Sequence, residues 1–153
     1  SKQFHVINID KERYNFIALK YDMSIDVCVG YVYSLRKPAV TVSRHHPQPG
    51  DIVYNLAAPI GIFNEDAIPI MDGYYIGISD GIAQYSVPAA GGSSGSPLFN
   101  SRGELIGLIH SVYIRFPSIT LSPTYNQLIG FIQAHADKDN SFSEKLLQKY
   151  LEF

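Results

Sequence analysis

The stretch Ala89-Ala90-Gly91-Gly92-Ser93-Ser94-Gly95-Ser96-Pro97-Leu98-Phe99-Asn100 is the most informative run in the chain. Small residues around a serine let the backbone turn sharply and approach a substrate carbonyl closely, and glycines permit positive φ at little steric cost. In such a turn two backbone N–H groups can point at one oxygen and stabilise an oxyanion, an effect worth roughly 3–4 kcal/mol per donor. A flexible linker or a plain hairpin turn has the same composition. The residues on the far side of the run favour a built turn: Pro97-Leu98-Phe99-Asn100 passes through Ser101-Arg102-Gly103 into Glu104-Leu105-Ile106-Gly107-Leu108-Ile109-His110, a hairpin pattern.

Upstream, period-two alternation with β-branched and aromatic residues predicts strands over His5–Ile9, Tyr14–Lys20, Ile25–Val32, Asp51–Ala57 and Tyr74–Ser79, joined downstream by Pro97–Asn100 and Glu104–His110. Turn signals separate them at Asp10-Lys11, Pro47-Gln48-Pro49-Gly50, Met71-Asp72-Gly73 and Ser101-Arg102-Gly103. Many short strands at this spacing indicate an antiparallel sandwich or barrel rather than βαβ units. The Pro-rich, basic stretch Lys37–Gly50 divides two strand clusters and reads as a connector between lobes.

The chain then changes character. Tyr125–Ala136 places Leu128, Ile129 and Ile132 at helical spacing, and Ser141–Phe153 opens with a Ser141-x-x-Glu144 capping box before Leu146, Leu147, Tyr150 and Leu151. Ala134–Asn140 reads as a polar link between two short helices.

Bulk properties bound the function. The 153 residues suffice for a buried core, and 46% apolar with 17% charged residues describes a globular protein. A net charge of −2 with scattered Lys and Arg gives no reason to expect a nucleic-acid partner. No apolar run approaches the ~20 residues of a membrane span, and no signal-peptide pattern opens the chain. Cys28 is the single cysteine, so no disulfide forms within the chain and the compartment stays undetermined. No Cys/His spacing resembles a metal-ligand set, and adjacent His45-His46 on extended backbone point to opposite faces. No cofactor is expected.

Gly92-Ser93-Ser94-Gly95-Ser96-Pro97-Leu98, followed by Gly103-Glu104-Leu105-Ile106-Gly107, resembles the nucleophile motif of trypsin-like (chymotrypsin-fold) serine peptidases, G-x-S-G-G/S-P before a hairpin ending in G-x-h-x-G. The resemblance implies Ser94 as nucleophile and the N–H groups of Gly92 and Ser94 as oxyanion hole; Ser96 stands where glycine is usual. Val6–Val29 is similar to the strand–turn–strand–Asp segment of HtrA-like members, which implies Asp26 as the triad aspartate and Asp22 as a less critical upstream acid. Gln48–Gly61 is similar to the first strand of their second barrel, PGD-h-V-x-A-x-G-x-P-x-G. The three matches fall in family order and cover about residues 4 to 133.

The implied fold is mainly β: a trypsin-like double β-barrel with the first barrel incomplete, and C-terminal α-helices. Residues 1–36 form the C-terminal part of the first barrel, 37–50 the interlobe connector, 51–124 the second barrel and 125–153 the helices. The catalytic histidine of the family precedes the strand matched by Val6–Ile9, and none of His5, His45, His46 or His135 takes that place. The expectation is a truncated chain, inactive alone, whose base and missing strands lie on an upstream segment of the same protein.

His110 falls where the family places a serine or threonine facing the triad aspartate. It is either an ordinary strand histidine or a surrogate orienter reaching Asp26 and Ser94. The residue six before the nucleophile, at the base of the family's S1 pocket, is Pro88, and the matching wall Ser111-Val112-Tyr113 carries Val where glycine is usual. A small or medium apolar P1 residue of a polypeptide substrate is expected. Two further readings stand beside the peptidase: a non-catalytic protease-fold module for peptide binding or assembly, and a structural β-sandwich whose eleven Tyr and eight Phe serve an interaction surface.

Overall fold

A computed structural model describes residues 4–32 and 35–135. The helix expected over Ser141–Phe153, and the link before it from Ala136 onward, lie outside the described residues. Contacts divide the described chain into two units, one of residues 4–32, 35–37 and 129–135, the other of residues 38–128.

The first unit is a three-stranded antiparallel sheet of β1 (His5–Ile7), β2 (Arg13–Asp22) and β3 (Val27–Val32), in the order β1-β2-β3. The β1–β2 hairpin is closed by Asn8 and Glu12, whose backbone groups pair at 3.0 Å and whose side chains bond at 2.6 Å. Lys37 lies 3.3 Å from the Asp10 carboxylate and 3.5 Å from that of Glu12. The Tyr31 hydroxyl donates to the backbone carbonyl of His135. Phe4, Tyr21 and Met23 are exposed, as expected of a barrel present only in part.

The second unit is a seven-stranded sheet in the order β8-β7-β4-β5-β6-β10-β9, antiparallel throughout. Its strands are β4 (Ile52–Leu56), β5 (Ile70–Ser79), β6 (Ile82–Tyr85), β7 (Pro97–Asn100), β8 (Leu105–Leu108), β9 (Ser111–Tyr113) and β10 (Phe116–Ser122). Inward residues of these strands, with Val87 and Ile109 just beyond β6 and β8, build one core: Val53, Tyr75, Ala83, Tyr85, Val87, Leu98, Ile106 and Ile109. Truncating Leu98 in such a core removes about 2–5 kcal/mol. The stretch around Val42 and Ser43 packs within this unit, since Val42 pairs with Leu105 in a parallel bridge and the Tyr125 hydroxyl donates to the Ser43 carbonyl at 2.6 Å.

Helix α1 (Tyr125–His135) starts at a reciprocal cap. Gln127 N–H donates to Thr124 Oγ1 at 3.2 Å and Thr124 N–H to Gln127 Oε1 at 2.9 Å, the capping box that satisfies two first-turn donors. No helix among the described residues is long and apolar enough to cross a membrane.

Met71-Asp72-Gly73, expected as a turn, lies inside β5, and Gly73 is there for space. A Cβ on it would stand 2.1 Å from the Ser86 carbonyl oxygen, so the strand and the chain leaving β6 approach as only glycine allows. Strands β6, β9 and β10 were not among the expected elements.

Candidate active site

Ser94 sits on two linked reverse turns. Ser93 N–H donates to Ala90 O at 2.9 Å and Ser96 N–H to Ser93 O at 3.1 Å, so Ser93 ends one turn and begins the next. The third residue of each turn is a glycine at positive φ, Gly92 at 98° and Gly95 at 84°, which is the requirement of a type II turn. Ser94 occupies the first central position of the second turn, with an exposed side chain.

Neighbouring backbone clamps both turns. Ile60 N–H donates to Gly91 O at 2.6 Å, Gly95 N–H to Ile109 O at 2.6 Å, and Ile109 N–H to Ser96 O at 2.9 Å. A Cβ on Gly92 would lie 2.5 Å from the Ala58 carbonyl oxygen, so this position excludes any side chain. Among the described residues, neither the Gly92 N–H nor the Ser94 N–H has a hydrogen-bond acceptor. Two fixed donors without an internal partner, next to an exposed hydroxyl, suit a developing oxyanion.

A buried polar side chain lies beneath the second turn. Asn55 points inward from β4 and is fully buried. Its Nδ2 donates to Ser96 Oγ at 2.9 Å and to Pro97 O at 2.8 Å. Its Oδ1 has no donor among the described residues, a desolvation cost of about 1–3 kcal/mol that an apolar residue would avoid. Strand alternation held a signal for this residue, because Asn55 shares the inward face with Val53 and Ala57.

His110 follows β8. Its backbone carbonyl accepts from Ser94 Oγ at 3.4 Å, at the outer limit of a hydrogen bond, while its ring Nδ1 lies 3.0 Å from Ser111 Oγ. Ser111 and Val112 open β9 half-buried, opposite Leu121 and Thr120 of β10. Pro88 is exposed, between buried Val87 and Ala89, whose N–H donates to Pro117 O at 3.3 Å.

Asp26 belongs to the first unit and Ser94 to the second. Asp26 was expected within a strand, yet β3 begins at Val27, and Asp26 is exposed at φ 54° in the loop between β2 and β3. Asp22 shapes that loop: its Oδ1 accepts from Ser24 Oγ at 2.6 Å and Ser24 N–H at 2.9 Å. Those bonds, the hydroxyl's first, hold the Asp22 carboxyl below its ordinary value.

Two concavities of the second unit, of about 330 and 480 Å³, include no residue of the Ser94 turn. The first is lined by His45, His46 and Arg102 among others, the second by Tyr54, Leu56 and Ile70. The turn instead offers an exposed hydroxyl beside two N–H groups that have no acceptor among the described residues. Among the described residues no group of three or more His, Cys, Asp or Glu is placed to hold a metal ion.

The sequence pattern of the trypsin-like peptidase domain matches residues 1–108. No curated protein matches the chain in sequence. Among solved structures, the chain is similar to the Rv3671c protease of M. tuberculosis in its active form, with a TM-score of 0.73 and 18% identity over 87% of this chain and 63% of that one. It is also similar to an inactive form of that protease, with a TM-score of 0.65 and 17% identity over 82% of this chain and 68% of that one. At such identity the likeness establishes the fold, a trypsin-like architecture with one barrel incomplete. The chain spans about two thirds of the length of these structures.

Proposed function

Because the chain belongs to the trypsin-like peptidase domain family, we propose that it carries the nucleophile half of a serine endopeptidase acting through an acyl-enzyme on Ser94. Ser94 Oγ adds to the carbonyl carbon of the scissile peptide bond while a histidine imidazole takes its proton. The carbonyl oxygen becomes an oxyanion held by the N–H groups of Gly92 and Ser94. Collapse expels the amine, which leaves with the proton from the imidazolium, and water hydrolyses the ester by the same route. The family resemblance implies Asp26 as the acid that orients such an imidazole.

The single observation that carries this reading is the pair of donors without an acceptor among the described residues, Gly92 N–H and Ser94 N–H, on turns clamped by three backbone bonds to Ile60 and Ile109 beside an exposed hydroxyl. Two imidazoles of the second unit are engaged elsewhere, His110 against Ser111 and His46 tilted against Tyr125 with ring centroids 4.5 Å apart, which supports a base on another segment. We assign the base to the segment preceding Ser1, which also adds strands to the sheet of β1, β2 and β3.

Pro88 and Val112 supply no carboxylate for a Lys or Arg side chain, which favours a small or medium apolar P1 residue. Profiling the N-terminally extended protein on a peptide library tests this. Cleavage after Ala or Val, abolished by Ser94→Ala, is the expected result; cleavage after Arg with none after Ala or Val contradicts the preference.

A second reading, a non-catalytic module that binds peptides at the same turn, is favoured by the absence of any described imidazole on Ser94 Oγ. The preceding sequence separates the two, since a histidine shortly before Ser1 belongs to the enzyme and its absence to the binding module.

A further inference from the structure

Two side chains that depart from the family pattern meet beneath the nucleophile. In the second-barrel pattern PGD-h-V-x-A-x-G-x-P-x-G, Asn55 occupies the alanine position, and Ser96 stands where the nucleophile motif has glycine. Their side chains bond to each other at 2.9 Å.

Chemistry sets the direction of these bonds. Ser96 Oγ gives its proton to the Ser93 carbonyl at 2.6 Å, so toward Asn55 it can only accept. Pro97 O can also only accept, so the Asn55 amide must present its NH₂ to both. The relay therefore runs one way, from Asn55 Nδ2–H to Ser96 Oγ–H to Ser93 O. The Ser93 carbonyl receives a second bond from Ser96 N–H at 3.1 Å.

The Ser93 carbonyl and the Ser94 N–H belong to one planar peptide unit and point in opposite directions. Two donors pinning the oxygen from below thus fix where the N–H points above. They also polarise the same peptide, which strengthens its N–H as a donor. We propose that Asn55 and Ser96 are positioning residues that aim and polarise the Ser94 N–H of the oxyanion hole. This role rests on Ser94 being the nucleophile, as proposed above.

Alanine and glycine at these two positions would leave the turn to backbone bonds alone. The Asn55–Ser96 pair adds a side-chain brace at the cost of a buried, unpartnered Oδ1. The two residues act as a unit, so replacing either one breaks the relay, and replacing both breaks it no further.

The test uses the N-terminally extended protein and its Asn55→Ala, Ser96→Ala and Asn55→Ala/Ser96→Gly variants. Ser96 lies half-buried on the turn, so Ser96→Ala remains informative if Asn55→Ala does not fold. Two quantities are read: kcat with KM on a peptide substrate, and affinity for a peptide boronic acid, which forms a tetrahedral adduct with the serine. The expected result is a roughly tenfold fall in kcat and in boronate affinity for each single variant, with KM unchanged and no further loss in the double variant. This is smaller than the 10²–10³-fold loss that accompanies outright removal of an oxyanion donor. Unchanged kcat in the folded single variants, or a fall in thermal stability with kcat and boronate affinity intact, overturns the positioning role alone. An extended, folded parent that neither cleaves peptides nor binds the boronate overturns the peptidase reading and the positioning role with it.

Discussion

Ser94 Oγ meets the backbone carbonyl of His110 at 3.4 Å, while the His110 imidazole turns to Ser111 Oγ at 3.0 Å. The residue therefore presents its main chain, not its ring, to Ser94. A backbone carbonyl accepts a hydrogen bond but does not remove a proton. Loss of a general base costs about 10²–10⁴-fold in rate. We expect His110→Ala to lower acylation of Ser94 less than tenfold, through loss of the ring contact with Ser111. A loss of a hundredfold or more, in a variant that melts normally, would make His110 the base after all.

Gly92 should tolerate no substitution. Gly92→Ala places a methyl group 2.5 Å from the Ala58 carbonyl oxygen and imposes φ 98° on an L-residue. The turn has to shift, and the Gly92 N–H leaves its position. Acylation is expected to fall about 10²–10³-fold, the measured scale for one oxyanion donor. Retained acylation would exclude this N–H from the oxyanion hole.

Ile60 is the converse case. It holds φ 48° with a β-branched side chain that is 76% exposed, so strain accumulates with little packing in return. Left-handed backbone at such a residue costs on the order of 1–3 kcal/mol. Ile60→Gly keeps the backbone bond from residue 60 to Gly91 O and removes that strain. A gain of about 1 kcal/mol in urea denaturation is expected; a loss contradicts the strain.

Acid should weaken the β7–β8 hairpin through Glu104. Its carboxylate accepts from Arg102 Nη2 at 2.9 Å and Asn100 Nδ2 at 2.7 Å, and these bonds, Arg102's first, push its carboxyl down to about 2 from 4.5. The folded state thus prefers the charged form. Its contribution is complete above about pH 4.5 and is lost as the pH falls toward about 2. Thermal midpoints of the parent and Glu104→Gln should differ at pH 7 and converge between pH 4.5 and 2. Parallel curves across that window contradict the assignment.

The strand pattern was legible where inward and outward residues alternate cleanly. Pro97–Asn100 matches its expected bounds, and β4 lies within Asp51–Ala57. Legibility ended where local chemistry serves a distant contact. Gly73 looks like a turn residue but answers to the Ser86 carbonyl across the sheet. Strand β6 is short and only partly apolar, so its pattern is weak, although Asp80 at φ 52° and Gly81 at φ 75° form the Asp-Gly turn that joins β5 to it. Pro117 and the flanking serines hid β10. At the turn, Gly92 and Gly95 were legible because their positive φ demands that residue type. Asn55 was not singled out, because a polar residue in a strand gains meaning only once its partner across the turn is known.

The proposal at the centre of this account is Ser94 as a nucleophile whose base lies on a preceding segment. Its most direct test is treatment of the chain, and of the chain extended by its native preceding residues, with a fluorophosphonate probe, locating any adduct by mass spectrometry. The predicted result is an adduct on Ser94 in the extended protein and none in the shorter chain or in extended Ser94→Ala. No adduct in a folded extended protein, or an adduct on Ser94 in the short chain at the same rate, would contradict it.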